Sequence, residues 1–224
     1  SSDLIDFKEA IHLWHSNRID FFMLLATFVA TLSLGIEQGI GVGVVLSLVM
    51  VIYQTTRPHV ARLGRIPNTH FYRNVERFSK LEEREDVLIL RFDSQLYFAN
   101  STFFKDWIED HINEREGQLK AVILHGGSMT ALDSSGAHAL EEMLDLLHER
   151  GIELFLTDLR GPVRDALVRS HLIDKIGGHN FFMNVQRAID YLDQHAGDAE
   201  NMDHYTLQSN AVSSVNSDKN HVSN

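Results

Sequence analysis

The stretch Asp133-Ser134-Ser135-Gly136-Ala137-His138 sets an acid, two hydroxyls and an imidazole side by side. Three chemistries suit that set. A serine nucleophile needs a base and an oriented acid beside it, and His138 comes shortly after Ser134. The Gly-x-Ser-x-Gly pattern is absent, however, and His138 falls within the first turns of a helical pattern rather than on a separate loop. Both facts argue against hydrolysis. A serine at a helix start can instead carry phosphate, because unpaired backbone N–H groups and the positive end of the helix dipole favour an anion there. The nearby Asp133 charge opposes it. The plainest chemistry is structural: Asp133 or Ser134 accepts a backbone N–H as helix N-cap, worth about 1 kcal/mol, and Gly136 permits close packing. Ser134 and Ser135, with Asp133 and Gly136 as their motif, are therefore both a helix start and the candidate phosphorylation site.

Other reactive residue types form no comparable group. The 13 histidines are scattered. His12 and His15 are close, but lack an acidic or third imidazole ligand at zinc-like spacing, and read as solvated or interfacial. The carboxylates of LEERED (81–86) and HALEEMLD (138–145) read as solvated turn and helix faces. The glycines of GIEQGIGVGVV (35–45) have no strand before them, as a phosphate-cradling loop requires. Gly35, Gly39 and Gly43 recur every fourth residue instead, the small-xxx-small pattern by which membrane helices approach closely. With 0 cysteines the chain has no disulfide, thiolate metal site or thiol catalysis. No metal, cofactor or enzymatic activity is expected. The net charge of −11 and the lack of a basic helix or aromatic-basic sheet signature argue against nucleic acid.

The elements around these residues divide the chain in two. Leu4, Phe7, Ile11 and Trp14 recur at helical spacing among charged residues, so 1–16 reads as an amphipathic helix lying at a membrane interface. From Phe21 to Ile36 and from Gln38 to Thr56 there is no charge. These runs, joined by the turn GIEQG, predict a transmembrane helical hairpin over 17–56. Arg18 precedes the first apolar run, Arg57, Arg62 and Arg65 come after the second, and no Asp or Glu occurs between Glu37 and Glu76. The positive-inside bias then puts both ends of the hairpin, and all the residues beyond it, in the cytoplasm. Glu37 marks the outer turn, where a carboxylate stays hydrated. The start SSDLIDFKEA has no basic n-region, so it is not a signal peptide and reads as part of something longer.

Residues 57–85, with Pro58 near their start, read as a connector. Beyond it strands and single helices alternate. VLILRF (87–92), LYFAN (96–100), LKAVILHG (119–126) and IELFLTDL (152–159) read as strands, with NFFMN (180–184) as a short edge strand. The helices are STFFKDWIEDHINE (101–114), started by Ser101 or Thr102; the segment after Asp133, with Ala137, Leu140, Leu144 and Leu147 inward; GPVRDALVRSHL (161–172); and VQRAIDYLDQH (185–195). The pattern is that of an α/β domain over 86–195, with a mixed, largely parallel sheet flanked by helices. Residues 196–224 have few large apolar side chains and much Ser, Asn and Asp, a composition of disorder.

The phrases RPHVARLGRIPNTHFYRNVERF, LILRFDSQLYFANSTFFKDWI, KAVILHGGSMTALDSSGAHALEEM and RGIELFLTDLRGPVRDALVRSHLIDKIG, set behind a transmembrane pair, closely resemble the C-terminal end of SulP/SLC26 anion transporters. The soluble part resembles their STAS domain. The resemblance implies a dimeric secondary transporter of sulfate, bicarbonate or dicarboxylates, coupled to protons or sodium, in a bacterial inner membrane. The hairpin would be the last two helices of the gate part, in contact with lipid and the rest of the membrane domain. No residue of this chain would bind substrate. The cytoplasmic STAS domain would serve assembly and control of transport. In anti-sigma factor antagonists the serine directly after the Asp of the matching DSSG is phosphorylated; by that likeness it is Ser134, with a regulatory protein or kinase as partner. The alternative reading is a membrane-tethered regulatory module of that kind.

Overall fold

A computed structural model of the chain describes residues 18–115 and 117–195. The expected interfacial helix (1–16) and disordered tail (196–224) lie outside them. The chain falls into two compact units that divide between Arg57 and Pro58.

The first unit is a pair of helices, α1 (Arg18–Leu34) and α2 (Ile36–Thr56). Helix α2, with 21 residues, is about 32 Å long and is apolar enough to cross a membrane. The 17 residues of α1 span about 26 Å, less than the ~30 Å hydrocarbon core. The expected five-residue turn shrinks to a single residue. Gly35 sits at φ 103, a conformation that side-chain-bearing residues rarely adopt, and α2 begins with the next residue. Glu37 is thus already in the first helical turn, exposed, where the helix dipole favours a carboxylate. The other two glycines of the stripe meet α1. A Cβ on Gly39 would collide with Thr31, and one on Gly43 would come within 3.1 Å of Thr27 Cγ2. The two threonine hydroxyls turn inward to the carbonyls of Thr27 and Met23 at 2.8 and 2.9 Å, leaving smooth surfaces for contact.

The second unit is built on a six-stranded sheet of order β2-β1-β3-β4-β5-β6. Its strands are β1 (Val60–Arg65), β2 (Tyr72–Asn74), β3 (Val87–Phe92), β4 (Ala121–His125), β5 (Glu153–Thr157) and β6 (Phe181–Phe182). From β3 to β6 all neighbours are parallel, while β1 runs antiparallel to both β3 and β2. Parallel strands read as unbroken apolar runs because both faces are covered. Here Leu88, Leu90, Phe92, Val122, Leu124, Leu154 and Leu156 point one way, and Val87, Ile89, Ala121, Ile123 and Phe155 the other. The first face takes α3 (Ser101–Asn113), α4 (Ser134–Glu149), α5 (Gly161–Arg169) and α6 (Leu172–Ile176). The second takes α7 (Val185–His195), through Val185, Ala188 and Ile189, together with Ala61 and Leu63 of β1.

Three sequence expectations are corrected. Residues 57–85, read as a connector, contribute β1 and β2; Ala61 is fully buried. Charge masked the pattern, because Arg62 and Arg65 interrupt the short apolar run of β1, and Arg73 stands in the edge strand β2. LYFAN is not a strand: only Leu96 bridges, to Leu132, and the chain then turns into α3. That helix is preceded by Asn100 rather than begun by a capping Ser101 or Thr102. The buried Asn100 side chain is spent on the turn before it, accepting from Tyr97 N and donating to Gln95 O, both at 3.0 Å.

If β1 is part of the folded unit, Ala61→Asp places an uncompensated carboxylate in the core. Unfolding of the chain in detergent, monitored by circular dichroism, should show a loss of about 3–5 kcal/mol or outright failure to fold. A change under about 0.5 kcal/mol would identify 57–85 as a spacer after all.

Candidate functional site

The first helix face meets the loop after β3 at the start of α4. Asp133 has extended backbone (φ −93, ψ −177) and caps the helix, its Oδ1 accepting from Gly136 N at 2.7 Å. Its other oxygen accepts from Phe98 N at 3.1 Å. Two backbone bonds run alongside: Asp133 N donates to Leu96 O at 3.2 Å, and Leu96 N to Ala131 O at 3.0 Å. One carboxylate therefore ties the start of α4 to the segment between β3 and α3. A Cβ at Gly136 would strike the backbone carbonyl of Leu96, so the glycine is required by close approach.

The remaining motif residues are arranged around this tie. Ser134 is exposed, Ser135 half-buried. With Asp133 as the cap, the Ser134 hydroxyl has no hydrogen-bond partner among the described residues. Phe98, 72% exposed, stands beside the cap with its ring edge-on to Tyr97. His138 points away from a nucleophile's needs. Its Nδ1 lies 3.7 Å from Glu141 and its Nε2 3.4 Å from Glu142, further along the same helix. The arrangement suits an exposed phosphoacceptor or a docking edge, and it does not pair Ser134 with a base.

A second group is not legible in the sequence. In register across the carboxyl ends of the parallel strands stand Arg91, His125 and Thr157, where open α/β sheets place their ligands. Arg91 donates twice to Asp93, at 2.5 and 2.8 Å, and His59 Nδ1 lies 3.0 Å from the same carboxylate. Partial burial pushes the Asp93 carboxyl up, but hydrogen bonds from Arg91, His59 and Ser128 outweigh it and hold it below its ordinary value. His125 lies 3.4 Å from the Thr157 hydroxyl through Nδ1 and 3.9 Å from Asp158 through Nε2. Burial pushes its imidazole below the ordinary 6.5, against the pull of Asp158. Scattered histidines read as solvated; the signal for this one is its place at the end of the apolar run AVILH. Among the described residues no cluster of His, Asp and Glu could hold a metal ion.

A two-faced mixed sheet with an Asp-Ser-Ser-Gly helix start defines a class, and the sequence model of the STAS domain matches residues 79–188. Strand β1 precedes the matched residues. Over 197 residues the chain is 34% identical to sulfate transporter 4.1, chloroplastic, of Arabidopsis thaliana, covering 84% of this chain and 29% of that protein. It is 31% identical over 195 residues to high affinity sulfate transporter 2 of Stylosanthes hamata, covering 84% and 30%. The fold is that of the murine Slc26a9 anion transporter in its inward-facing state, with a TM-score of 0.71 at 21% identity over 84% of this chain and 31% of that one. The chain thus carries a STAS domain and belongs to the SulP/SLC26 family of transporters. It spans about 30% of the length of these relatives.

Asp133→Ala should cost about 1 kcal/mol and Gly136→Ala about 1–3 kcal/mol, whereas Ser134→Ala should stay within about 0.5 kcal/mol. Chemical unfolding of the three variants orders them, and a Ser134 effect as large as that of Asp133 would make the serine the cap. For His125, the depressed folded pKa means that the unfolded chain binds more protons below 6.5. Stability therefore falls as pH drops through that value and levels off below the folded one. His125→Gln should flatten the decline in melting temperature between neutral and mildly acidic pH. An unchanged slope would place the acid sensitivity elsewhere.

Proposed function

We propose that this chain is the C-terminal portion of a secondary-active anion transporter of the sulfate, bicarbonate or dicarboxylate class. One observation carries the reading. Similarity to sulfate transporters covers 84% of the chain, more than either unit alone could supply, so it joins an apolar helix pair to a STAS domain in one relationship. In this reading α1 and α2 belong to the membrane domain and pack through Gly35, Gly39 and Gly43. The STAS domain (86–195, with the preceding strands) lies in the cytoplasm, as the flanking arginines favour, and serves assembly of a homodimer and control of transport. The membrane is the inner membrane of a bacterium, and transport is coupled to protons or sodium. No residue of these two units is assigned to substrate.

A second reading is favoured by the exposed, unbonded Ser134 hydroxyl beside the cap. A kinase could reach it without dismantling the helix start, because Asp133 holds the cap. Phosphorylation would add charge next to Asp133 and beside Phe98, altering what docks there. This is the switch of a regulatory module, and it is compatible with a transporter.

Uptake of sulfate, bicarbonate, chloride and dicarboxylates by the full-length protein in liposomes tests the main reading. Accumulation of at least one anion under a proton or sodium gradient is expected; none under any gradient refutes it. For the switch, Ser134→Asp should change the uptake rate severalfold relative to Ser134→Ala, with phosphate found on Ser134 in protein from cells. Equal rates would leave the motif as architecture.

A further inference from the structure

A set of arginines remains that neither the sheet nor the Ser134 site uses. Between Thr56 and Glu82 the chain carries Arg57, Arg62, Arg65, Arg73 and Arg77, with Glu76 as the sole acid before Glu82. Arg65 is neutralised by Glu82, through Nε at 3.1 Å and Nη2 at 2.7 Å. Arg57 lies over the Tyr53 ring at 5.4 Å. Among the described residues no carboxylate pairs with Arg62, Arg73 or Arg77, although the whole chain carries a net charge of −11. Unpaired arginines on so acidic a chain point to an anionic partner.

Helix α2 ends at Thr56 and β1 begins at Val60, so only three residues of chain separate the apolar helix from the arginine-bearing hairpin. Strand β2 then folds back along β1. Arg73 stands opposite Gly64, and Val75 N donates to Arg62 O at 3.1 Å. Arg77 and Phe78 come within about 11 Å of that bond, at the end of the hairpin where β1 begins. Phe78 is 50% exposed, a large apolar side chain half open to its surroundings. Arginine with an exposed aromatic ring next to a span is the chemistry of a headgroup layer.

We propose that the β1–β2 hairpin is a docking surface for anionic phospholipid headgroups, held by Arg62, Arg73 and Arg77 with Phe78 entering the interface. The surface is the leaflet in which α2 ends, so the inference rests on α2 crossing a bilayer. Each arginine near an anionic surface strengthens binding roughly fivefold, and the effect is screened by salt. Of the nearby acids, Asp93 is already paired with Arg91 and His59, and Glu76 offsets part of the charge of the three arginines but leaves the set net positive.

The test is hydrogen exchange of the whole chain in nanodiscs of phosphatidylcholine alone and of phosphatidylcholine mixed with phosphatidylserine. Residues 60–78 should exchange severalfold more slowly in the anionic discs, and raised salt should remove the difference. Exchange in α7 should be equal in both. Arg62→Gln/Arg73→Gln/Arg77→Gln should abolish the difference, Arg73→Gln and Arg77→Gln singly should each reduce it, and Arg65→Gln should leave it intact. Equal exchange in both lipids overturns the proposal, whether or not the hairpin is protected. Failure of the chain to stay with discs of either kind would instead refute the membrane placement of α2, a separate result.

Discussion

Asp133 accepts hydrogen bonds from two parts of the chain at once, Gly136 N within its own helix and Phe98 N from the preceding crossover. The geometry of the candidate site depends on this double acceptance. It fixes where α4 begins, sets the turn before α3 against it, and brings Leu96 so close that residue 136 must be glycine. An amide without such a partner would cost about 1–3 kcal/mol if buried. Because the aspartate does the capping, the neighbouring serine is released from structural duty. An exposed hydroxyl at a stable helix start is a position that chemistry can alter without unfolding the domain.

The sheet supplies the rigidity behind that edge. Its central strands are apolar on both faces, and each face is closed by helices from later in the chain. Polar chemistry is consequently pushed to the strand ends, where Arg91, His125 and Thr157 align in register. The ion pairs there are partly buried and specific. Elsewhere, for example Lys175 with Glu141 and Asp145, they are exposed and contribute little.

Charge is also divided along the chain. Arg62, Arg65 and Arg73 lie on a short antiparallel addition to the sheet, outside the residues matched by the STAS family. The addition is the first part of the domain that the chain forms once it leaves the apolar helix pair. Its inner strand does two things: Ala61 and Leu63 join the second core face, while Arg62, half-buried, points to the opposite side of the sheet. Both follow from the two-residue period of a strand.

Much of this can be read from residues alone. Apolar runs of strand length, helical stripes such as Ala137, Leu140, Leu144 and Leu147, and uncharged stretches on each side of Glu37 are periodicities, and periodicity survives without contacts. So do the alternation that implies a parallel core, and the motif that marks Ser134. Partnerships are decided by the tertiary structure. That Asp133 is the cap, that Gly136 faces Leu96, that His125 is buried beside Thr157 and that a supposed connector forms two strands all depend on residues far apart in the chain. Hydrogen bonding and burial are properties of pairs brought together by folding; a linear pattern records which residues can enter such pairs, and only the fold selects which ones do.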